Sequence, residues 1–572
     1  MNAIVLAVVG LGAFVLGYGF YAKFIAERIF QLDPDFETPA HEFEDGVDYV
    51  PTNRYILWGH HFTSVAGAAP IVGPAIAVLW GWVPAFIWVT LGTIFFAGVH
   101  DAGALWASVR NRARSIGALT EDVVGSRARS IFMIVIFLLL LMVNAVFAII
   151  IADLFVSTPS SVVPAWSVIA VALVIGYLLY KKGVGLLWPS VVALIVLYGT
   201  IFLGEYVPVT LPEQMFGLAS NANWVILLFI YAGVASVLPV WLLLQPRDYI
   251  NSLQLFVGLI LLYGAVLIGA PTVVAPAFNT ALPEGTPPLI PLLFVTIACG
   301  AISGFHGLVS SGTTSKQLDK ETDVRFVGYL GAVGEGTLAL AAILATTAGF
   351  ASLAEWEQFY TSFAAGGVGA WVQGGGALVA DGLGLPAAFA ETLLAVMAIL
   401  FAATTMDTGV RLQRYVIQEW GQIYNLDFLT GRFLSTIVAV ACCVALAFGA
   451  GEGGSGGMII WPLFGTTNQL LAALTMLILS VALMKLGRST VYTLAPLAFL
   501  LVMTVFALII QLRGFWEQGN YFLIFMDLLI LGAAILVGLE ALGALNQARR
   551  QRGEQTVEEL FASGSGAGDE ER

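Results

Sequence analysis

The residues of this sequence with the clearest chemical potential begin in the stretch Trp58–Pro74, which reads WGHHFTSVAGAAPIVGP. It lies in an apolar run long enough to span a bilayer, yet it contains the adjacent imidazoles of His60 and His61 and the hydroxyls of Thr63 and Ser64. Ionisable side chains at membrane depth are costly, and they usually face a partner or a water-filled cavity. The stretch is therefore a candidate binding site.

The same stretch is predicted to be a broken helix. Pro70 and Pro74 remove backbone donors, and Gly67 and Gly73 tolerate non-helical dihedral angles. Backbone groups freed by such a break are tolerated at membrane depth only where they are buried in protein or line a cavity. A broken span is typical of the binding site of a transporter. The alternative is a kinked helix whose small residues serve close packing.

Further ionisable groups within apolar runs are candidates for ion coupling. His100 and Asp101 are adjacent in GVHDAGAL, and such a pair can exchange a proton near neutral pH, although it could equally be structural. Glu335 is a candidate proton-binding carboxylate. Asp407 has Arg411 four residues later, and this spacing predicts an ion pair at a helix end.

A cluster of hydroxyl groups follows His306 in the stretch GFHGLVSSGTTSKQ. Hydroxyls beside the carbonyls of an unwound span provide the hard oxygen ligands that an alkali cation needs. We therefore predict that Ser310, Ser311, Thr313 and Thr314 contribute to an ion or substrate site. The alternative is that the hydroxyls bond to their own helix or to a neighbouring one.

A second broken helix is predicted in YAGVASVLPVWLLLQPRDY, where Gly233 and Pro239 flank Ser236. Two interrupted spans of opposite direction are what an inverted repeat produces. Chance is the competing explanation, because the chain holds 62 glycines. In a later run, IIWPLFGTTNQLLAAL, Asn468 and Gln469 are expected to make polar contacts with a neighbouring span.

The composition places all these groups in a polytopic membrane protein. Of the 572 residues, 59% are hydrophobic and 11% are charged, and the mean hydropathy is +0.90. These values exclude a soluble globular protein. The three cysteines provide neither a disulfide framework nor a spaced zinc site, so no metal site is expected, and nothing indicates nucleic acid binding.

Apolar runs of about 18 to 25 residues predict about fifteen α-helical spans, which we number one to fifteen in chain order. Their positions are 2–22, 56–80, 83–108, 130–156, 162–180, 184–204, 223–245, 253–276, 288–312, 326–350, 386–408, 430–449, 457–483, 491–512 and 521–543.

The basic residues give the orientation of these spans. Of the 24 lysines and arginines, all except Arg513 lie in odd-numbered connections or beyond span fifteen. The positive-inside rule makes those connections cytoplasmic, with the N-terminus outside and the C-terminus inside.

Four stretches closely resemble the carbon starvation protein A family of bacterial and archaeal inner-membrane transporters. The resemblance runs from about Ala26 to about Leu479. It implies an all-α transporter of the amino acid/polyamine/organocation superfamily with a LeuT-type five-plus-five inverted repeat, and the uptake of peptides or pyruvate-like small carboxylates. The stretches are DGVDYVPTNRYILWGHHFTSVAGAAPIVGP, AGVASVLPVWLLLQPRDYI, CGAISGFHGLVSSGTTSKQLDKETDVRFVGY and IIWPLFGTTNQLLAAL.

This resemblance implies a division of the chain and two sets of site residues. Spans two and seven become the broken helices, and the hydroxyls of span nine face the carbonyls from Ala66 to Ala69. The divisions are an extra span at 1–25, a transporter core at 26–410 with halves at about 56–204 and 223–408, a C-terminal bundle at 411–545 and a disordered tail at 546–572. The predicted substrate-binding residues are His60, His61, Ser64, Gly67, Gly73, Gly233, Ser236 and His306. The predicted ion-coupling residues are Ala66, Ala69, Ser310, Ser311, Thr313, Thr314, His100, Asp101 and Glu335.

The expected function is secondary active transport of a small organic nutrient, coupled to protons or sodium ions. No cofactor is expected beyond a bound Na⁺ or a coupled H⁺, and the expected partners are a small-molecule substrate and the lipid bilayer. A passive channel or a membrane sensor of nutrient state is the alternative. An enzyme is disfavoured because the chain contains neither HExxH nor a phosphate-binding loop.

Overall fold

The computed structural model describes residues 1–46, 48–182, 184, 187–239, 242–363, 365–451, 457–553, 555–556 and 560. Within these residues, thirteen helices are long and apolar enough to cross a membrane, and the bent pair Arg54–Val65 and Ala69–Trp80 raises that number to fourteen. The remaining apolar run, span nine, is divided into Leu289–Thr296 and Gly304–Gly312. Each of the fifteen predicted spans therefore corresponds to a helix or a broken helix.

The unbroken spans extend beyond the apolar runs, because their polar ends continue as helix. They are Ala3–Phe30, Trp82–Arg110, Ser126–Ser157, Pro159–Leu178, Trp188–Tyr206, Ser220–Val237, Pro246–Gly269, Glu321–Ala348, Ala387–Ile423, Arg432–Gly449, Ile459–Lys485, Val491–Glu517 and Tyr521–Arg550.

Shorter elements connect or interrupt these spans. Span three contains a π-helical turn, Thr93–Ala97, immediately before the helix that carries His100, and such turns are frequent at functional sites. The short helices are Pro39–Glu42, Ile116–Val123, Leu353–Phe359 and Val368–Leu383, and one hairpin is formed by β1 (Gln214–Met215) and β2 (Leu218–Ala219).

The core of the molecule is formed by spans four, ten, eleven and thirteen. Between 72 and 94% of their most apolar windows is buried. These helices are apolar on all sides, which suits a position surrounded by other helices. The other unbroken spans are buried over 33 to 56% of such windows, so they lie at the periphery and expose one side to lipid.

Two spans are broken in the middle. Span two leaves the helix after Val65, resumes at Ala69 and bends by 53°. Span nine leaves the helix after Thr296 and resumes at Gly304, and Gly300 within this break has a φ of +91°, a left-handed conformation that favours glycine. The predicted break in span two is thus confirmed.

The predicted break at Gly233 in span seven is wrong. Ser220–Val237 is a continuous helix, and Pro239 follows its end, in the connection to span eight. A single glycine inside a helix costs only about 1 kcal/mol relative to alanine, so it does not by itself interrupt the helix. A Cβ at Gly233 would contact Val440 of span twelve at 3.4 Å, so this glycine is a site of helix packing.

The two broken spans are related by reciprocal packing. The outer part of span two, Ala69–Ala77, packs on Leu330–Ala348, the helix that follows the second broken span. Gly304–Gly312 packs on Gly98–Arg110, which follows the first. Such reciprocity is typical of an inverted repeat, and the halves at about 56–204 and 223–408 stay a prediction.

Two predicted boundaries need correction. Ala387–Ile423 is one helix, so the division at residues 410 and 411 cuts a continuous element. Span fifteen extends to Arg550, so the predicted disordered tail at 546–572 begins too early. Its residues 561–572 lie outside the described residues.

Odd-numbered connections contact one another at one face of the molecule, and an even-numbered connection contacts the N-terminus at the opposite face. Thr52 pairs with Leu318, which joins the first and ninth connections, and Gly553 donates to the carbonyl of Lys485. At the opposite face, Asn2 at the N-terminus pairs with Thr272 of the eighth connection. We call the face that carries the odd-numbered connections the basic face.

Candidate functional site

The breaks of spans two and nine face each other. A Cβ at Gly73 would lie 2.5 Å from the carbonyl oxygen of Thr296, and one at Gly300 would lie 3.4 Å from the Cβ of Pro70. Gly73 therefore permits close backbone contact between the broken helices, and its predicted role in substrate binding is replaced by one in packing. Gly67 faces Thr405 instead, because a Cβ there would approach the Thr405 Oγ1 to 2.8 Å.

Span thirteen holds the break of span nine in place. The Asn468 Oδ1 accepts a hydrogen bond from the backbone amide of Phe305 at 3.1 Å, and its Nδ2 donates to the Ser303 Oγ at 3.1 Å. The Trp461 indole donates to the carbonyl of Thr296 at 3.3 Å. Gln469 contacts the carbonyl of Phe294 in the same way, so the expected polar contacts of span thirteen are confirmed.

A network of four ionisable side chains lies beside this break. The His100 Nδ1 lies 2.7 Å from the Asp101 Oδ1, and the His306 Nδ1 lies 2.8 Å from the Asp101 Oδ2. The His306 Nε2 lies 3.1 Å from the Glu335 Oε2. All four side chains are buried, and we call them the His–carboxylate network.

This network joins spans three, nine and ten through one imidazole. His306 lies between the carboxylates of Asp101 and Glu335, so the structure groups it with the predicted ion-coupling residues rather than with substrate residues. The geometry allows a protonated imidazole to contact both carboxylates, and a neutral imidazole can donate to only one of them. The network can therefore hold one exchangeable proton.

The hydroxyl cluster of span nine lies closer to the basic face than predicted. The Thr314 Oγ1 pairs with the His61 Nδ1 at 2.9 Å. His61 precedes Ala66 by five residues, which is about 7 Å along a helix. The break of span nine contacts Pro70 and Gly73 instead. The Thr314 hydroxyl therefore does not pair with the carbonyls from Ala66 to Ala69 as predicted, because it contacts His61 instead.

Three of the four hydroxyls in this cluster have hydrogen-bond partners. Besides the Thr314 contact, the Ser311 Oγ donates to the carbonyl of Gly307 at 2.7 Å and accepts from the amide of Ile116. The Thr313 Oγ1 donates to the carbonyl of Val309. The Ser310 Oγ is buried and has no hydrogen-bond partner among the described residues. Most of these hydroxyls thus stabilise the helix end.

A cavity of about 510 Å³ lies between spans two, four, eight, nine and eleven. Asp48, Lys316 and Glu419 line it, so it opens on the basic face. The predicted residues that line it are His60, Ser64, Ser311 and Thr313. His61, His306, Gly67, Gly73, Gly233 and Ser236 do not belong to its lining.

Gly233 and Ser236 are directed away from the cavity. The Ser236 Oγ lies 3.4 Å from the Thr436 Oγ1 of span twelve, on the side where Gly233 packs. Their predicted roles in substrate binding are corrected, since span seven does not face span two as a second broken helix.

The opposite face is closed over the outer part of span two. The hydroxyl of Tyr360 donates to the carbonyl of Ala75 at 2.8 Å, and the Trp80 indole donates to the carbonyl of Pro287 at 3.0 Å. Tyr360 directly follows the helix Leu353–Phe359 in the tenth connection. The cavity is thus accessible from one face of the molecule.

The predicted ion pair between Asp407 and Arg411 is wrong. The Asp407 carboxylate accepts hydrogen bonds from Arg247, at the start of span eight, and from the Tyr231 hydroxyl. The Arg411 guanidinium donates instead to the carbonyls of Ala235 and Leu238. A spacing of four residues permits such a pair within a helix, but the tertiary neighbours of each side chain determine its partner.

The chain matches the family described as carbon starvation protein CstA over residues 2–356 and 348–507. The peptide transporter CstA of Bacillus subtilis is 31% identical, covering 91% of this chain and 92% of that protein. The pyruvate/proton symporter BtsT of Escherichia coli is 31% identical, covering 91% and 84%.

The fold also resembles solved transporters. A crystal structure of a manganese transporter variant from Eremococcus coleocola aligns with a TM-score of 0.54 at 11% identity, covering 89% of this chain and 99% of that chain. This likeness concerns the fold alone, which is the LeuT-type fold of two broken helices and flanking bundles. The family match, the coverage of its members and the broken-helix site lead to one conclusion: the chain belongs to the carbon starvation protein CstA family and is a membrane transporter.

Proposed function

We propose that this transporter imports a small carboxylate or peptide by symport with protons. The single observation that carries the proposal is the buried His306 between Asp101 and Glu335. Relatives named as peptide transporters and as a pyruvate/proton symporter suggest the substrate classes. The placement of the basic residues favours the inner membrane of a cell, with the N-terminus outside and the C-terminus in the cytoplasm.

On this orientation, the basic face is cytoplasmic, and the cavity opens inward. The outer face is closed by the contacts of Tyr360 and Trp80. The conformation is then the one that releases substrate to the cytoplasm in an alternating-access cycle. The cycle requires a second conformation in which the helix Leu353–Phe359 separates from the outer part of span two.

The half-helix Gly304–Gly312 connects the proton site with the cavity. It carries His306 at one side, while Leu308 and Ser311 of the same element line the cavity. Loss of a proton from His306 leaves the carboxylate of Glu335 without its cationic partner and weakens the contact between spans nine and ten. A ligand or proton shifts a conformational equilibrium only through such a difference in interaction energy.

Sodium coupling is the competing proposal within the same function. It would use the unpartnered hydroxyl of Ser310 together with its neighbours. The hydrogen bonds already made by Ser311, Thr313 and Thr314 favour the proton instead.

The test is uptake of radiolabelled pyruvate and of a radiolabelled dipeptide into proteoliposomes that contain the full-length protein. A proton gradient and a sodium gradient are imposed separately, with protein-free liposomes as the control. Accumulation above the external concentration with the proton gradient alone is the expected result. Equilibration of both solutes regardless of gradient would overturn symport and favour a passive facilitator, and accumulation with sodium alone would overturn proton coupling.

A further inference from the structure

Arg411 places a positive charge in the cavity between the broken helices and span eleven. Its side chain lies among the lining residues, yet the residue is only 8% exposed. Ala387–Ile423 continues for twelve residues beyond it, about 18 Å of helix. Arg411 therefore lies well inside the protein, whereas Lys316, the other basic lining residue, belongs to the ninth connection at the mouth.

The guanidinium of Arg411 makes hydrogen bonds through one of its nitrogen atoms and lacks a partner at another. Its Nη2 donates to the carbonyl of Ala235 at 3.0 Å and to that of Leu238 at 2.7 Å. Its Nε is buried and has no hydrogen-bond partner among the described residues. Carbonyl contacts hold the group in a defined orientation, but they do not neutralise its charge.

The carboxylates near Arg411 make their close contacts with other guanidinium groups, and Asp407 and Asp248 share that of Arg247. Asp407 pairs with Arg247, which also contacts Asp248 of the cavity lining at 3.5 Å. Glu419, another lining residue, pairs with Arg129 at 3.5 Å. Within the described residues, Arg411 forms no ion pair with a carboxylate. A buried cation without a direct ion pair is costly, and an anionic ligand in the cavity would lower that cost.

We propose that Arg411 binds the carboxylate group of the transported substrate, a proposal that rests on the function proposed above. A guanidinium binds a planar carboxylate through charge-assisted hydrogen bonds, and it keeps its charge at any physiological pH. His60 and Ser64, which line the same cavity from span two, provide hydrogen-bonding groups for the rest of a small substrate. The site thus selects small organic anions and peptides with a free C-terminal carboxylate.

A purely structural role for Arg411 makes different predictions. If the guanidinium only caps the end of span seven through Ala235 and Leu238, its loss lowers stability and the amount of folded protein without changing substrate affinity. If it binds substrate, its loss raises KM for carboxylates. The kinetic comparison between KM and maximal rate therefore separates the two roles.

The experiment compares Arg411→Gln and Arg411→Lys with wild-type protein in proteoliposomes. Arg414→Gln is the matched control, because Arg414 lies on the same helix and is similarly buried but does not itself line the cavity. Its guanidinium stacks on the ring of Tyr415, which does line the cavity. We expect Arg411→Gln to raise KM for the transported carboxylate about tenfold or more. Arg411→Lys should recover part of this loss, and Arg414→Gln should leave KM within about twofold.

A measurement on wild-type protein covers the case in which Arg411→Gln does not fold. Thermal unfolding in detergent is followed with pyruvate against pyruvamide, and with a dipeptide against its C-terminal amide. Stabilisation by the carboxylate forms alone supports the proposal. Equal stabilisation by acid and amide, or an unchanged KM in a folded Arg411→Gln variant, would overturn it. Wild-type protein that takes up neither substrate would instead refute the proposed function, and the inference would fall with it.

Discussion

Two buried ionic centres lie in this transporter, and they differ in whether their charge can change. The His–carboxylate network consists of two imidazoles and two carboxylates, and an imidazole can gain or lose a proton. The second centre joins Arg247 to Asp407 and Tyr231. Its guanidinium remains protonated under all physiological conditions.

This difference assigns the two centres different tasks. The Arg247–Asp407 pair connects spans eight and eleven through charges that do not change, and it is suited to holding these two spans together. The His–carboxylate network includes His306 of the half-helix Gly304–Gly312, and in the proposed mechanism it gains or loses one proton. We expect the first to determine stability and the second to determine coupling.

The largest expected effect comes from breaking the permanent pair. Asp407→Asn leaves the buried Arg247 guanidinium with only its longer contact, to Asp248 at 3.5 Å, and removing one partner of a buried pair typically costs about 3–5 kcal/mol. We expect a lower temperature of thermal unfolding and less folded protein in the membrane. The double variant Arg247→Gln with Asp407→Asn should recover only part of that stability, because Asp248 then loses its contact with Arg247. A folded Asp407→Asn variant with normal stability but altered proton coupling would contradict this prediction, because it would give the role in coupling to the Arg247–Asp407 pair.

The next effect is on coupling. His306→Gln keeps a hydrogen-bonding side chain between Asp101 and Glu335 but removes its titration. We expect gradient-driven accumulation to fall about 100-fold, which corresponds to about 2.7 kcal/mol. Exchange of labelled for unlabelled substrate across the membrane, without a gradient, should persist. Loss of exchange to the same extent in properly folded protein would assign His306 to substrate binding instead.

A smaller effect, on thermal stability, is expected from glycine substitutions that compare the broken spans with span seven. In Gly73→Ala, the new methyl group would approach the carbonyl oxygen of Thr296 to 2.5 Å, and overpacking of this kind typically costs about 1–3 kcal/mol. Gly233→Ala is the matched control, since its methyl group meets the Val440 side chain at an ordinary 3.4 Å. We expect thermal unfolding of the control to change little or to improve slightly. Equal destabilisation by both substitutions would argue against close contact of the two breaks.

The smallest effect is expected from Ser310→Ala. The Ser310 Oγ has no hydrogen-bond partner among the described residues, and its removal should change stability by no more than about 0.5 kcal/mol. Proton-driven uptake should remain unchanged, because the hydroxyl plays no part in the His–carboxylate network. Uptake assays at varied sodium concentration provide the check. If uptake by the wild type depends on sodium and this dependence is lost in Ser310→Ala, the result supports a sodium site at Ser310 and contradicts proton coupling.

Much of the architecture could be predicted from the sequence, because the bilayer imposes strong local rules. Within the described residues, fourteen of the fifteen apolar runs correspond to a helix or a bent helix pair long enough to cross a membrane, and span nine corresponds to two shorter helices. The parity of the basic residues agrees with the pairing of connections in space. The break of span two was predictable from Pro70 and Pro74 in a glycine-rich run. These features depend on residues within a single segment, and a local pattern is sufficient to identify them.

The parts that escaped prediction depend on distant neighbours. The break of span nine contains no proline, and it is held by Asn468 and Trp461, more than 160 residues away in the chain. The four-residue spacing predicts an ion pair between Asp407 and Arg411, but Arg247 forms the ion pair with the Asp407 carboxylate instead. Two signals for these sites were present in the sequence. They are the glycines Gly300 and Gly304 and the polar residues Asp407, Arg411 and Arg414. Similar patterns occur in packed helices, so the sequence alone could not distinguish these sites.

The most direct test of the central claim is the proton flux that accompanies substrate entry. Proteoliposomes with an internal pH indicator and no imposed gradient receive pyruvate or a dipeptide from outside, and the initial rate of internal acidification is compared with the rate of labelled uptake. Proton coupling predicts a fixed ratio of protons to substrate in the wild type and loss of the proton signal in His306→Gln. Substrate entry without acidification in the wild type, or an unchanged proton ratio in His306→Gln, would contradict the account.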